Sequence, residues 1–407
     1  MKMLEKGVTA PIGFCAASAA AGIKYEGRDD MALVVSGVPA KVAGTFTQNV
    51  VKAAPVIRDI KLIKEQETAR AIVLNSGIAN ACTGDVGKAA NEAMAEAIAK
   101  VVNVKSDQIL TASTGVIGQH LPVDKVEKGA LLLKDALDDT KEAATKAAKA
   151  IMTTDTHEQQ CAVEFELDGA IVTIGGMAKG SGMIHPNMAT MLGVITTDCA
   201  ISKELLQEAI SADVKESFNM ISVDRDTSTN DSLMILANSL AGNEEIVEKG
   251  EAYKTFCEAL GCVTKTLAKM MAADGEGATK LLEATVKNAA TKEDAVKLSK
   301  SIITSNLVKT AIFGSDANWG RVLCAMGYSG AKFNPEAVKL WIESEAGSEV
   351  LFEKGLPVEF SEEKAKEILL QKEVKVIADM NQGEESATAW GCDLSYDYVK
   401  INGDYRS

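Results

Sequence analysis

Twice in its first third the chain repeats one pattern: a short apolar run, a turn of small residues, then a longer segment of helical spacing. ARAIVLNSGIANACTG (69–84) passes from IVLN into a Gly/Asn-rich turn, and GKAANEAMAEAIAKVVNV (87–104) follows with Ala-rich helical periodicity. ILTASTGVIGQHLP (109–122) does the same ahead of KVEKGALLLKDAL (125–137). Buried strands alternating with helices confine the chain to α/β or α+β organisation.

The remaining segments keep to this grammar. Residues 31–57 cluster apolar residues around turns and read as successive strands. Residues 140–156 form a helix ending in a Thr/Asp cluster, and 163–180 a strand hairpin around Asp168-Gly169. Residues 202–218, 244–272 and 293–305 have helical spacing; VLFEKGLPVEF and VKVIADM supply strands in the last third. A length of 407 residues suggests two or three domain-sized units, and 46% apolar residues can bury a large core. No repeat or long linker divides the chain, and a structural seam is expected near 275–310.

The formal charge of −14 argues against nucleic acid or an anionic membrane as a partner, and 4% aromatic residues leave little for base stacking. Eight scattered cysteines form no CxxC, and with three histidines a zinc site is not expected. Several of these cysteines lie in apolar or Ala/Gly-rich stretches, the setting of reduced thiols in a cytoplasmic protein. VTAPIGFCAASAAAGIK, near the N-terminus, is interrupted by Pro and Gly and reads as mature structure, not a signal. No apolar run reaches 18 residues.

Several motifs fail on inspection. HEQQC lacks the second His of a zincin, and GDVGKAA has Ala89 where a phosphate loop needs a hydroxyl. KGSG is a glycine turn with free amides, which alone does not make an anion site. MISVDRDTSTNDS (220–232) resembles an aspartyl-phosphate site built on Asp224 and Asp226, but reads better as a loop of Asx and Ser/Thr turns.

One segment carries more. In KGSGMIHPNMATMLG (179–193), Thr190 follows the small Ala189 behind a glycine-rich approach. A Thr hydroxyl needs a base to become a nucleophile. Cutting the chain before Thr190 supplies one, the new α-amine, whose pKa of about 7.7–8.0 suits general-base work near neutrality. The β-branch of Thr restricts χ1, and Gly180 and Gly182 permit a tight backbone.

This segment resembles the self-cleavage site of the ornithine acetyltransferase family, the glutamate N-acetyltransferases of arginine biosynthesis. So, in order, do FTQNVVKAAPV (46–56), LNSGIANACTG (74–84), TASTGVIG (111–118), IMTTDT (151–156), MAKGSGM (177–183), SVDRDTSTNDS (222–232), DGEGATK (274–280), FGSDANWGRV (313–322) and INGDYRS (401–407). The resemblance runs from about residue 7 to the C-terminus. It implies an α/β fold of stacked sheets sandwiched between helices, of the N-terminal-nucleophile type, with a smaller C-terminal domain. It also implies self-cleavage between Ala189 and Thr190 into chains 1–189 and 190–407, assembled as a heterotetramer of two of each.

The activity implied is ping-pong acetyl transfer from N2-acetylornithine to glutamate through an acetyl-Thr190 ester, releasing ornithine. Thr114 and Gly115 match the family's oxyanion pair; Thr154 or Thr156, Lys179, Thr190, Glu276, Asn402 and Ser407 match its substrate contacts. Tyr405 is expected to anchor the tail. No cofactor or metal is implied, and acetyl-CoA stays open as a second acetyl donor. Arg225, Ile78, Gly403 and the HEQ after TTDT depart from the family pattern. Three other readings stand beside this one: an amidase or aminopeptidase of the same fold, a metal-dependent phosphatase using Asp224 and Asp226, and an uncut binding protein.

Overall fold

A computed structural model of the chain describes residues 1–185 and 191–404. The chain separates into two compact units, the larger comprising Met1–Asn219 with Asp226–Leu267 and the smaller Met220–Arg225 with Ala268–Ser407.

In the larger unit a nine-stranded sheet contains β1 (Lys2–Leu4), β2 (Phe14–Ala19), β3 (Met31–Phe46), β4 (Thr68–Asn75), β5 (Ile109–Ser113), β6 (Gln159–Leu167), β7 (Ala170–Lys179), β8 (Leu192–Thr197) and β10 (Ser232–Ala237). The intervening β9 (Ile221–Ser222) belongs to the smaller unit. The order is β1-β6-β7-β8-β10-β3-β4-β5, with β2 also paired to β3. Two neighbouring pairs, β4/β5 and β8/β10, are parallel.

The helices of this unit are α1 (Ala54–Glu65), α2 (Gly84–Val102), α3 (Val123–Asp135), α4 (Lys141–Ala150), α5 (Lys203–Asp213) and, crossing into the smaller unit, α6 (Glu251–Ala273). The period of two along β3 and β4 sorts their side chains onto opposite faces. Val34, Ile72 and Leu74 pack with Ala144, Ala147 and Ala148 of α4, while Leu33, Ala71 and Val73 pack with Met94 and Ile98 of α2 and Val126 and Leu133 of α3. Helices thus cover both faces, so these strands are apolar without polar alternation. Each large aliphatic side chain buried here contributes about 1.5–3 kcal/mol.

The smaller unit holds a seven-stranded sheet of β9, β11 (Leu281–Ala289), β12 (Lys339–Ser344), β13 (Gly347–Glu353), β14 (Leu356–Pro357), β15 (Glu373–Asp379) and β16 (Glu385–Cys392), ordered β14-β13-β12-β15-β11-β16-β9. Its helices are α7 (Lys292–Thr304), α8 (Asn306–Phe313), α9 (Trp319–Gly327), α10 (Glu362–Leu369) and α11 (Tyr396–Gly403), and α7 packs on β11 and β16. The α/β class expected from the sequence is the one observed. Among the described residues no helix is long and apolar enough to cross a membrane.

Three expected boundaries change. Residues 31–46 form one long strand whose register with β4 shifts between Val35 and Ala40, and residues 54–57 open α1 instead of extending a strand, with Pro55 in the first helical turn. Residues 244–250 lie outside any helix because Ile246 bridges Ile201 through its backbone. Residues 214–217 follow the end of α5 at Asp213 and continue into a 3₁₀ turn at Phe218–Met220.

Candidate active site

Every residue of β5 is buried, and the strand delivers the chain to Thr114 and Gly115. The turn that follows is fixed from both sides. Thr114 N–H donates to the Asn75 carbonyl (3.0 Å), and Val116 N–H to the Gly77 carbonyl (3.0 Å). Gly115 has φ +130°, and a Cβ there would lie 2.2 Å from the Gly77 carbonyl carbon. Only glycine satisfies both conditions. Among the described residues nothing accepts from the Gly115 N–H or bonds the Thr114 hydroxyl, and both residues are partly exposed. Two donors are therefore available side by side on a rigid turn, the arrangement an oxyanion requires.

The turn is braced by neutral groups. Asn75 Nδ2 donates to the Ile78 carbonyl (2.9 Å), and Ser113 Oγ to Asn75 Oδ1 (2.7 Å). Asn80, at φ +49°, donates to the Gly87 carbonyl (2.9 Å) and accepts from Thr83 Oγ1 (2.8 Å). One acid assists from α1: Asp59 accepts from Thr111 N–H (2.7 Å) with Arg58 at 3.4 Å. Complete burial outweighs the Arg58 guanidinium and pushes the Asp59 carboxyl up to about 7.

The end of β7 is built from charge. Lys179 is 7% exposed; its Nζ donates to Thr153 Oγ1 (2.8 Å) and lies 3.6 Å from Asp155 Oδ2. Asp155 in turn accepts from Gly180 N–H (2.7 Å) and Thr153 N–H (2.9 Å). The TTDT segment thus meets Lys179 through Thr153 and Asp155. Thr156 is exposed and bonds His157 Nδ1 (2.9 Å), while Thr154 is half-buried between them. Lys179 faces Leu192 across the β7/β8 pair, two residues beyond position 190. Ala189 and Thr190 lie outside the described residues.

Beside β8, Asn230 and Asp231, both buried, stand immediately before β10. Ser232 N–H donates to the Met191 carbonyl (2.9 Å), which registers this strand against the first described residue after the expected cut. Burial raises the Asp231 carboxyl well above the usual range, against the pull of the Met191 amide, the Ser228 and Thr47 hydroxyls and the Lys179 charge.

In the smaller unit the structure brings two predicted residues together. Asn402 Nδ2 donates to Glu276 Oε2 (2.7 Å), and Glu276 is 6% exposed. Helix α11 is held to this loop by Ser395 Oγ, which donates to the Gly277 carbonyl. A Cβ on Gly277, at φ +69°, would lie 2.6 Å from Tyr398 N. Tyr398 Oη also donates to Asp224 Oδ2 (3.3 Å). Ser407 and Tyr405 lie outside the described residues. Asp224 and Asp226 fall in different units.

Thr153, Asp155, Asn230 and Asp231 were not singled out from the sequence. The cue for the last two is positional: a polar pair standing directly before the unbroken apolar run of β10. Asp155 is the acid inside a segment read for its threonines.

A family model described as "ArgJ family" matches residues 15–407. The chain is 52% identical over 409 residues to the arginine biosynthesis bifunctional protein ArgJ of Symbiobacterium thermophilum, covering 100% of each. It is 47% identical over 417 residues to the glutamate N-acetyltransferase of Methanocaldococcus jannaschii, again covering 100% of each. A crystal structure of the arginine biosynthesis bifunctional protein of Bacillus halodurans is 44% identical, with 51% of this chain and 96% of that chain aligned at a TM-score of 0.49.

Proposed function

The chain belongs to the ArgJ family of arginine-biosynthetic acetyltransferases, and on that premise we propose that it cuts itself before Thr190 and carries an acetyl group on that residue. The α-amine freed at Thr190 takes the proton from Oγ as Oγ attacks the acetyl carbonyl of N2-acetylornithine. The tetrahedral oxyanion is held by Thr114 Oγ and Gly115 N–H. As the amide C–N bond breaks, the α-ammonium returns its proton to the departing ornithine nitrogen, leaving the acetyl ester. The amine of glutamate then attacks that ester by the reverse sequence, giving N-acetylglutamate and free Thr190. In this reading acetyl-CoA acylates the same hydroxyl as a second donor, and the cut chains 1–189 and 190–407 assemble in pairs in the cytoplasm.

Lys179 serves the substrate carboxylate, with Thr154 or Thr156 as the hydroxyl contact; family resemblance assigns Glu276, Asn402 and Ser407 to the same substrates. The observation that carries the reading is the Thr114–Gly115 turn, whose two donors have no partner among the described residues while the Thr114 and Val116 amides on either side are bonded. N-terminal sequencing of the denatured protein tests it. The expected second sequence is Thr-Met-Leu-Gly, absent from a Thr190→Ala variant that transfers no acetyl group. A single uncut chain with full activity would refute the reading.

A further inference from the structure

The peptide unit joining Ser113 to Thr114 is clamped at both of its polar ends. Its N–H donates to the Asn75 carbonyl (3.0 Å), and its C=O accepts from Asn230 Nδ2 (2.8 Å). The second hydrogen of the same amide goes to the Ala79 carbonyl (2.6 Å), and Asn230 Oδ1 accepts from Thr229 Oγ1 (2.6 Å). Asn230 is 6% exposed, and both of its donors are used on turns far away in sequence. A peptide plane held at both ends cannot swing, and the Val116 N–H bond to the Gly77 carbonyl holds the chain on the other side, so the peptide between them, which carries the Gly115 N–H, is confined from both ends. Two residues after Asn230, Ser232 N–H binds the Met191 carbonyl. One side chain therefore links the strand registered against residue 191 to the turn carrying Thr114 and Gly115.

We propose that Asn230 is a positioning residue for acetyl transfer: it sets the direction and distance of the Thr114–Gly115 donors relative to the chain at position 191. The inference rests on the reading of Thr114 and Gly115 as oxyanion donors. Asn230 touches no reacting atom; its effect passes through the Ser113–Thr114 peptide. A donor displaced by about 1 Å acts poorly on the transition state while ground-state binding is retained, a loss of up to about 10²-fold.

The test measures kcat and KM for transfer from N2-acetylornithine to glutamate, per mole of processed chain, in Asn230→Ala, Thr114→Ala and the double variant. Asn243→Ala is the matched control. Asn243 is equally buried, and its amide bonds Ala200 and Glu244 beyond the opposite end of β8. The expected result is a fall in kcat of about 10- to 100-fold for Asn230→Ala at unchanged KM, with little further loss when it is added to Thr114→Ala. Asn243→Ala should lower the melting temperature without lowering kcat. Full kcat in Asn230→Ala, or losses that multiply fully with those of Thr114→Ala, overturns the inference alone. Full kcat in Thr114→Ala overturns the oxyanion reading and this inference with it. If Asn230→Ala does not fold, Asn230→Ser is judged by the same outcomes, since its hydroxyl is too short to span both carbonyls.

Discussion

The turn after β5 is held by uncharged groups, whereas the turn after β7 is held by a buried ion pair. At the first, glycine geometry and neutral amides fix two donors and leave them unengaged among the described residues. At the second, Lys179 is already engaged by Thr153 and Asp155. A group that must respond only to charge developing in a transition state is best left without a ground-state partner. A group that must meet a carboxylate in every state can be held by a counter-ion, which keeps it buried and oriented. The two turns should therefore fail in different ways.

The largest effect should come from Gly115→Ala. Its Cβ would collide with the Gly77 backbone at a φ that L residues rarely adopt, so the turn must move. We expect no measurable acetyl transfer together with a lowered melting temperature. A variant of normal activity would show that the close approach of the two glycines has no bearing on the donors.

Asp155→Asn leaves Lys179 buried without its counter-ion. Loss of one partner of a buried pair costs about 3–5 kcal/mol, readable by urea unfolding. The same change unmasks a cation two residues across the sheet from position 190, which would push the α-amine of Thr190 down. The rising, acid-side limb of kcat/KM should then move to lower pH. An unmoved limb would mean that Lys179 does not face that amine.

Thr114→Ala removes one donor and leaves the glycine geometry intact. A fall in kcat of about 10²–10³, equivalent to about 2.7–4 kcal/mol of barrier, is expected with stability and KM unchanged. A rise in KM alone would reassign Thr114 as a substrate contact.

The smallest effect lies in Asp59, whose carboxyl holds Thr111 on β5 ahead of that turn. Its carboxyl is raised from 3.8 to about 7, so the folded chain holds the proton more tightly than the unfolded chain does. This contribution is complete below about pH 4 and is lost as pH rises through about 7, at most about 1.4 kcal/mol per pH unit. Asp59→Asn should flatten that slope, compared by urea unfolding at pH 5 and pH 8. A wild-type slope that persists in the variant would place its origin elsewhere.

Strand β4 of the larger unit was readable because helices cover both faces of the sheet, which leaves IVLN as an apolar run without polar alternation. The misreadings have local causes. APVI is as apolar as a strand but carries Pro55 in a helical first turn, and residues around Ile246 have helical spacing but spend their backbone bonds on a bridge to Ile201. Lys179, Thr114 and Gly115 were singled out through family resemblance. Asn230 was not, because its meaning lies in bonds to Ser113 and Ala79, 117 and 151 residues away. No pattern within a window of sequence encodes such a contact. Asp155 escaped for a related reason: its three partners are distributed between its own loop and the end of β7.

The order of strands in the nine-stranded sheet constrains when the proposed cut before residue 190 could occur. Strands β8 and β10 follow position 190, yet they lie between β7 and β3, which precede it. Severing the chain before residue 190 thus leaves the middle of the sheet on one polypeptide and both its flanks on the other. Neither fragment can complete that sheet by itself, so folding must come first and scission second. For a protein cut in this way, recovery after denaturation would be a bimolecular event. It should slow on dilution, whereas an uncut Thr190→Ala chain should regain its structure at a rate independent of concentration.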